Sequence, residues 1–161
     1  MKKTGFTLIE MIVVVASTGL IMTAITGITL GIFKSQNRNK STNKVVQNGN
    51  WIMNELKKNV LNSSGTQINC INNVSIGMTN LDDNGSTVFS CGNNNIASTS
   101  GSLVRSLTNN QVNVTDCTNF VSCTESPALG VTSVKFNFGV GTTTAGVSVS
   151  QNFSLDVSVR N

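Results

Sequence analysis

The chain has 161 residues, of which 39% are hydrophobic and only 11% charged, with no histidine and a formal charge of +4. That length suits one modest domain with an extension and leaves no room for two full domains. The small net charge gives no argument for a nucleic-acid surface, and a polar fraction dominated by Asn, Ser, Thr and Gly is poor material for acid–base catalysis.

The chain opens on Met1-Lys2-Lys3-Thr4-Gly5, after which residues 6–33, FTLIEMIVVVASTGLIMTAITGITLGIF, form an apolar run whose single charge is Glu10 and which contains no proline. As a helix at about 1.5 Å per residue this run reaches about 42 Å, against a bilayer hydrocarbon core of about 30 Å. Two plain readings are a cleaved secretory signal peptide, cut at the small residues near Ala16 to Gly19, and an ordinary single-pass anchor. Neither accounts for Glu10, because a carboxylate inside an apolar segment is costly and usually marks function.

Gly5-Phe6-Thr7-Leu8-Ile9-Glu10, behind a short basic leader and ahead of about twenty apolar residues, resembles the processing site of type IV prepilins and type II secretion pseudopilins. The resemblance covers the leader and the stem, about a fifth of the chain. It implies that a membrane prepilin peptidase cuts after Gly5 on the cytoplasmic side and N-methylates the new amino terminus at Phe6. It also implies that the stem is retained in a filament, with Thr7 and Glu10 at the assembly surface, and that an inner-membrane assembly platform is a partner. Loss of Lys2 and Lys3 with the leader (residues 1–5) lowers the formal charge from +4 to +2.

The chemistry of such a site stands on its own terms. Gly5 lets an extended backbone enter a narrow protease groove. Cleavage exposes an amine at Phe6 with a pKa near 7.7 to 8, cationic at neutral pH. Glu10 lies four residues on, about 6 Å along the helix axis. A neighbour staggered by about that much brings the Glu10 carboxylate of one subunit to the Phe6 amine of the next, where each charge alone is costly.

Further along the stem, Gly27 and Gly31 form a GxxxG element among other small residues, which suits close helix packing but is also ordinary membrane-helix composition. Major pilins often carry a stem proline, and none occurs here. Lys34, Arg38, Lys40 and Lys44 follow the apolar run and outnumber Lys2 and Lys3, so a count of basic residues alone places the C-terminal part in the cytoplasm. The leader motif, the cysteines beyond the stem and the Asn/Ser/Thr-rich remainder favour the opposite orientation: a single pass through the cytoplasmic membrane with the head outside, and an extracellular or periplasmic filament after assembly.

From residue 34 to 65 the pattern turns amphipathic. Val45, Gly49, Ile52, Leu56 and Val60 make a helical stripe, flanked by Trp51, Met53 and Leu61, and Asn62-Ser63-Ser64-Gly65 is a stop. Residues 6–62 then read as one long helix whose weak point is 35–44, which is nearly devoid of apolar groups.

Residues 66–161 read as a β-rich head. Alternation predicts a terminal hairpin from Val134, Phe136, Phe138 and Val140 to Val147, Val149, Phe153, Leu155, Val157 and Val159, joined across Gly141 to Gly146. Earlier strands are expected at 67–71, 74–79, 86–91, 102–107 and 111–115. An antiparallel sheet packed on the amphipathic helix gives an α+β fold. Asp82-Asp83-Asn84-Gly85 supplies too few oxygen ligands at defined spacing for calcium and reads as a plain hairpin turn. Cys70, Cys91, Cys117 and Cys123 all follow the stem and, without Cys-x-x-Cys or histidine, predict two disulfides in an oxidising compartment rather than zinc. Cys117 with Cys123 can close a small loop and Cys70 with Cys91 can join adjacent strands, though all three connectivities are open.

A second resemblance concerns the head. The order of long helix, Asn-Gly hairpin, Leu103-Val104-Arg105, an alternating penultimate strand and the ending Val157-Ser158-Val159-Arg160-Asn161 is similar to minor pilins of the PilW and pseudopilin J type. That implies a place at a filament tip, in a complex that starts assembly. The other readings are a major pilin, a tip-borne binding module for adhesion or DNA uptake, and a membrane-anchored protein outside any filament. Arg105, Lys135 and Arg160 are too few and scattered to predict nucleic-acid binding. No enzyme, cofactor or metal is expected.

Overall fold

The computed structural model describes residues 7–81, 84–126 and 131–160, and the chain divides after Asn37 into two compact units. The features expected at Gly5, Phe6, Asp82, Asp83 and Asn161 lie outside the described residues. Helix α1 spans Leu8–Leu61. Residues 35–44, the expected weak point, are helical throughout: they contain neither glycine nor proline, and Lys, Arg and Gln are good helix formers.

In the second unit the predicted stripe is the buried face of α1. Val45, Ile52, Leu56 and Val60 are fully buried, and Gly49 lies buried among them. The stripe also includes two residues that apolar periodicity passes over, Ser41 and Asn48, both buried. Asn48 Nδ2 donates to the Leu107 carbonyl at 3.4 Å, while Ser41 Oγ and Asn48 Oδ1 are buried without a partner.

The helix ends at Leu61 without a glycine cap. Ser63 Oγ donates to the Val60 carbonyl at 2.8 Å and the chain passes at once into β1 (Ser63–Ile71). β1 is followed by β2 (Ser75–Asn80), β3 (Ser86–Gly92), β4 (Asn95–Ser100) and β5 (Leu103–Ser106), and these five form an antiparallel sheet in chain order. A second antiparallel sheet holds β6 (Asn113–Asp116), β7 (Val121–Ser126), β8 (Val131–Thr144) and β9 (Val147–Arg160). β8 pairs along its whole length with β9, and two separate stretches of it pair with β6 and β7.

The α+β architecture is therefore as the sequence predicts, with two sheets where one was expected. The break falls at residues 108–112: Leu107 still donates its N–H to the Ile96 carbonyl at 2.7 Å, and beyond it the chain leaves the ladder and Val112 turns into the core. β4 and β7 are strands that hydrophobic alternation misses, since each carries one buried apolar residue, Ile96 and Val121 respectively. Backbone pairing makes them strands: β4 against β3 and β5, β7 against β8.

Asparagine supplies most of the turns. Asn72, Asn73, Asn84, Asn93 and Asn94 all have positive φ, which Asn tolerates better than other side chains. Asn93-Asn94 closes β3 onto β4 and Ala145-Gly146 closes β8 onto β9, both residues of each pair being left-handed as a two-residue hairpin requires. The Asn84-Gly85 turn joins β2 to β3, with Asn84 N donating to the Asn80 carbonyl at 3.1 Å and Asn80 N to the Gly85 carbonyl at 3.0 Å.

One contiguous core joins the helix stripe to both sheets. From the first sheet come Ile76, Met78, Phe89 and Ile96; from the second, Val134, Phe136, Phe138 and Val140 of β8 and Phe153 of β9. Phe138 and Phe153 are register partners with stacked rings 5.6 Å apart, and Phe120 packs tilted against Phe136 at 5.7 Å. The helix comes so close to β9 that a Cβ on Gly49 would overlap the Phe153 ring.

Two disulfides tie the sheets together. Cys70 of β1 bonds Cys123 of β7, and Cys91 of β3 bonds Cys117 in the β6–β7 connection. The small Cys117–Cys123 loop is not formed, because Phe120 is driven into the core between them and β7 then pairs with β8. Cys70 and Cys91 cannot join adjacent strands because β2 lies between β1 and β3. Asp116 helps hold Cys117: its Oδ1 accepts from the Thr118 amide (2.9 Å) and hydroxyl (2.8 Å), which keeps its carboxyl below the usual carboxylate pKa.

Two predictions follow from this packing. Gly49→Ala destabilises the head by about 1–3 kcal/mol through overpacking, despite the better helix propensity of alanine. Adding Phe153→Leu recovers part of that loss in a thermal or urea unfolding assay, whereas a recovery of nothing would place the strain elsewhere. Paired Cys→Ala replacement at 70/123, whose loop spans 53 residues, costs about 4 kcal/mol by loop entropy, and at 91/117, spanning 26, slightly less.

Candidate functional site

The most distinctive surface lies in the first unit. Along Leu8–Phe33 every residue is exposed, including Leu8 (79%), Leu20 (74%), Val15 (67%) and Leu30 (65%). Gly19, Gly27 and Gly31 have nothing near the space a Cβ would take. Among the described residues of the unit nothing covers this helix. It is long and apolar enough to cross a membrane.

Its polar atoms are settled within the helix. The run contains five hydroxyl residues, and each donates to a carbonyl three or four residues back: Ser17 and Thr18 to Val14 (3.0 and 2.9 Å), Thr23 to Leu20, Thr26 to Met22 and Thr29 to Ile25 (2.8 Å each). A hydroxyl bonded in this way presents mainly its methyl or methylene group outward, so these side chains carry little cost in an apolar medium. Backbone and side chains together leave Glu10 as the one polar demand on the surroundings.

The helix start gives that demand a partner. Thr7 precedes the first helical residue, and its Oγ1 accepts from the Glu10 amide while Glu10 Oε2 accepts from the Thr7 amide and hydroxyl, all at 3.4 Å. This is a reciprocal capping box, in which a threonine and a glutamate three residues apart satisfy each other's orphan amides. The carboxylate also sits at the positive end of the helix dipole. The Thr-x-x-Glu spacing is legible in the sequence, but the motif reading of Glu10 as an assembly residue passed over it. The 3.4 Å contacts are at the loose end for such bonds.

Of the other sequence-derived candidates, Gly5 and Phe6 lie outside the described residues, and the four cysteines are all in disulfides. Arg105 lies 5.6 Å over the Trp51 ring, a cation–π contact that docks β5 on α1. Lys135 is on β8 of the second sheet, opposite Asp156 in register. The basic side chains Arg105 and Lys135 thus have separate structural neighbours and form no common patch. Among the described residues no cluster of Cys, Asp or Glu is placed to hold a metal ion. No family model, curated protein or solved structure matches the chain.

The capping box makes its own prediction. Thr7→Ala removes the hydroxyl acceptor and weakens the first turn by about 0.5–2 kcal/mol. Hydrogen exchange of the full-length chain in micelles should then speed up at Glu10 and Met11 while amides beyond residue 20 keep their protection; equal protection at Glu10 in both proteins would show that the cap contributes nothing.

Proposed function

We propose that this chain is a structural subunit of a helical filament, a pilin-like protein of the type IV pilus and type II secretion pseudopilus class, and within it a minor subunit that starts or tips the filament. The observation that carries the reading is the bare apolar helix with one carboxylate near its start, joined to a cross-linked β head. An uncovered helix of this kind has two stable destinations, lipid and a bundle of like helices, and Glu10 distinguishes them. In lipid the carboxylate has only Thr7. In a bundle it meets the cationic amine that cleavage between Gly5 and Phe6 would create. The minor-subunit assignment rests on the resemblance of the head's element order alone.

On this reading the stem first anchors the chain in the cytoplasmic membrane with the head outside. A prepilin peptidase removes residues 1–5 and methylates Phe6, and an assembly platform lifts the subunit into the bundle. The head, with its two inter-sheet disulfides, is built for an oxidising exterior. It has no role for a cofactor in this function.

The capping box favours one other reading, a single-pass anchor that never enters a filament, since Thr7 gives Glu10 a partner within its own chain. Glu10→Gln separates the two. The amide keeps an oxygen that can accept from the Thr7 N–H but loses the charge that an ammonium needs. On the filament reading Glu10→Gln and Glu10→Ala both lose incorporation into filaments while cleavage after Gly5 continues; assembly of the Gln variant at the normal level assigns Glu10 to capping alone. Mass spectrometry of the mature protein is the direct companion test, with N-methylated Phe6 expected. A terminus near residues 17–20 would make the stem a removed signal. Abundance in purified filaments then separates a minor subunit, present in traces, from a major one.

A further inference from the structure

At the far end of the second sheet lies a cavity of about 620 Å³, within the roughly 300–1,000 Å³ of small-ligand sites. It is bounded by the β3–β4 turn at Asn94, the loop leading into β6, and the tip of the β8–β9 hairpin. None of its lining residues is ionisable and none is aromatic; side chains of Asn, Gln, Thr and Ser predominate. In a chain with 18 charged Lys, Arg, Asp and Glu residues, a depression that excludes all of them favours a neutral ligand over an anion or a cation.

The walls are fixed before any ligand arrives. Val114 N donates to the Asn94 carbonyl at 2.9 Å, tying the β3–β4 turn to β6. Thr142 Oγ1 donates to the Gln111 carbonyl at 2.6 Å, tying the loop to the hairpin, and Gln111 N donates to Asn109 Oδ1 at 2.9 Å within the loop. Thr143 and Ser148 pair their hydroxyls across the hairpin at 2.9 Å. β6 packs closely on the hairpin because residue 141 is glycine: a Cβ there would come within 2.8 Å of Thr115 Cγ2 and 3.2 Å of the Val149 carbonyl. Against this set frame the side-chain amides of Asn110 and Asn113, both exposed, have no hydrogen-bond partner among the described residues.

We infer that this cavity is a binding site for a neutral oligosaccharide. A carboxamide offers an acceptor and a donor side by side, which matches a pair of adjacent sugar hydroxyls, and the Thr143–Ser148 pair can accept and donate in the same way. The preset walls lower the ordering cost of binding. An extended peptide is the less suited occupant, because the cavity offers only Val114 and Val149 to anchor apolar side chains. Without an aromatic platform the site relies on hydrogen bonds, each of which gains little net over water. The site rests on the geometry of the head and stands whether or not the chain enters a filament.

The test is saturation-transfer NMR on the full-length chain in phosphatidylcholine nanodiscs, with lactose, N-acetyllactosamine, maltotriose and chitotriose as separate probes and a Gly-Ser-Thr hexapeptide as the competing class. Transfer to at least one saccharide is expected, with Kd raised at least tenfold in the Asn110→Ala/Asn113→Ala double variant and unchanged in Lys58→Ala. Both replaced residues are exposed, so the double variant should keep the melting temperature of the parent, and Thr143→Val/Ser148→Ala provides a second variant that should also lose binding. Transfer to none of the four saccharides, transfer to the peptide alone, or saccharide binding that neither double variant weakens would overturn the proposal.

Discussion

The head depends on how closely one helix can approach a sheet. At Gly49 the helix surface is flat, and the Phe153 ring occupies the place a side chain would take. Phe153 in turn stacks on Phe138, whose neighbours Phe136 and Phe120 complete the aromatic centre of the second sheet. The buried stripe from Val45 to Val60 is thereby committed to a single register along β9. Shifting the helix by one turn would move a side chain of the stripe onto the ring and strand Gly49 against nothing. The first sheet has no comparable aromatic lock, which explains where the covalent bonds lie: both disulfides run from the first sheet to the β6–β7 segment of the second. Both sheets pack on the helix through one core, and the cross-links tie the sheets directly to each other.

How much of this was legible in the sequence follows from how strong each local signal is. The helix stripe and the long terminal hairpin carry dense patterns of one period, and both are found in the structure; Asn84-Gly85 lies in the β2–β3 connection, where Asn84 has the positive φ. β4 and β7 were illegible because Asn95-Ile96-Ala97-Ser98-Thr99-Ser100 and Val121-Ser122-Cys123-Thr124-Glu125-Ser126 hold one buried apolar residue each, and strands so polar exist only through their neighbours. The disulfide pairing stays open in the sequence because spacing along the chain cannot reveal that β2 separates Cys70 from Cys91. Ser41 and Asn48 were invisible since a stripe is sought among apolar residues, and their buried unpartnered oxygens are a local cost that the surrounding core offsets.

The stem poses the opposite case, in which composition says nearly everything and the fold adds one correction. Its apolar content makes it able to cross a membrane, and the five back-bonded hydroxyls keep a run with so many Ser and Thr residues compatible with an apolar medium. The correction concerns Glu10, which the sequence presents as an unmet charge and the structure presents as half of a capping box. The cap and the proposed assembly contact are compatible because they use different strengths of interaction. Amide and hydroxyl donors at 3.4 Å hold a carboxylate loosely, while an ammonium in an apolar bundle would hold it far more strongly.

That difference gives Thr7 a second purpose on the filament reading. A carboxylate left without any donor in lipid is costly. Thr7 donates to Glu10 through both its amide and its hydroxyl, and so supplies such donors within the chain. The same contacts orient the carboxylate at the helix start. The cap then works as a holding position: strong enough to keep the charge in place while the subunit waits in the membrane, and weak enough to yield when a neighbour brings a cation.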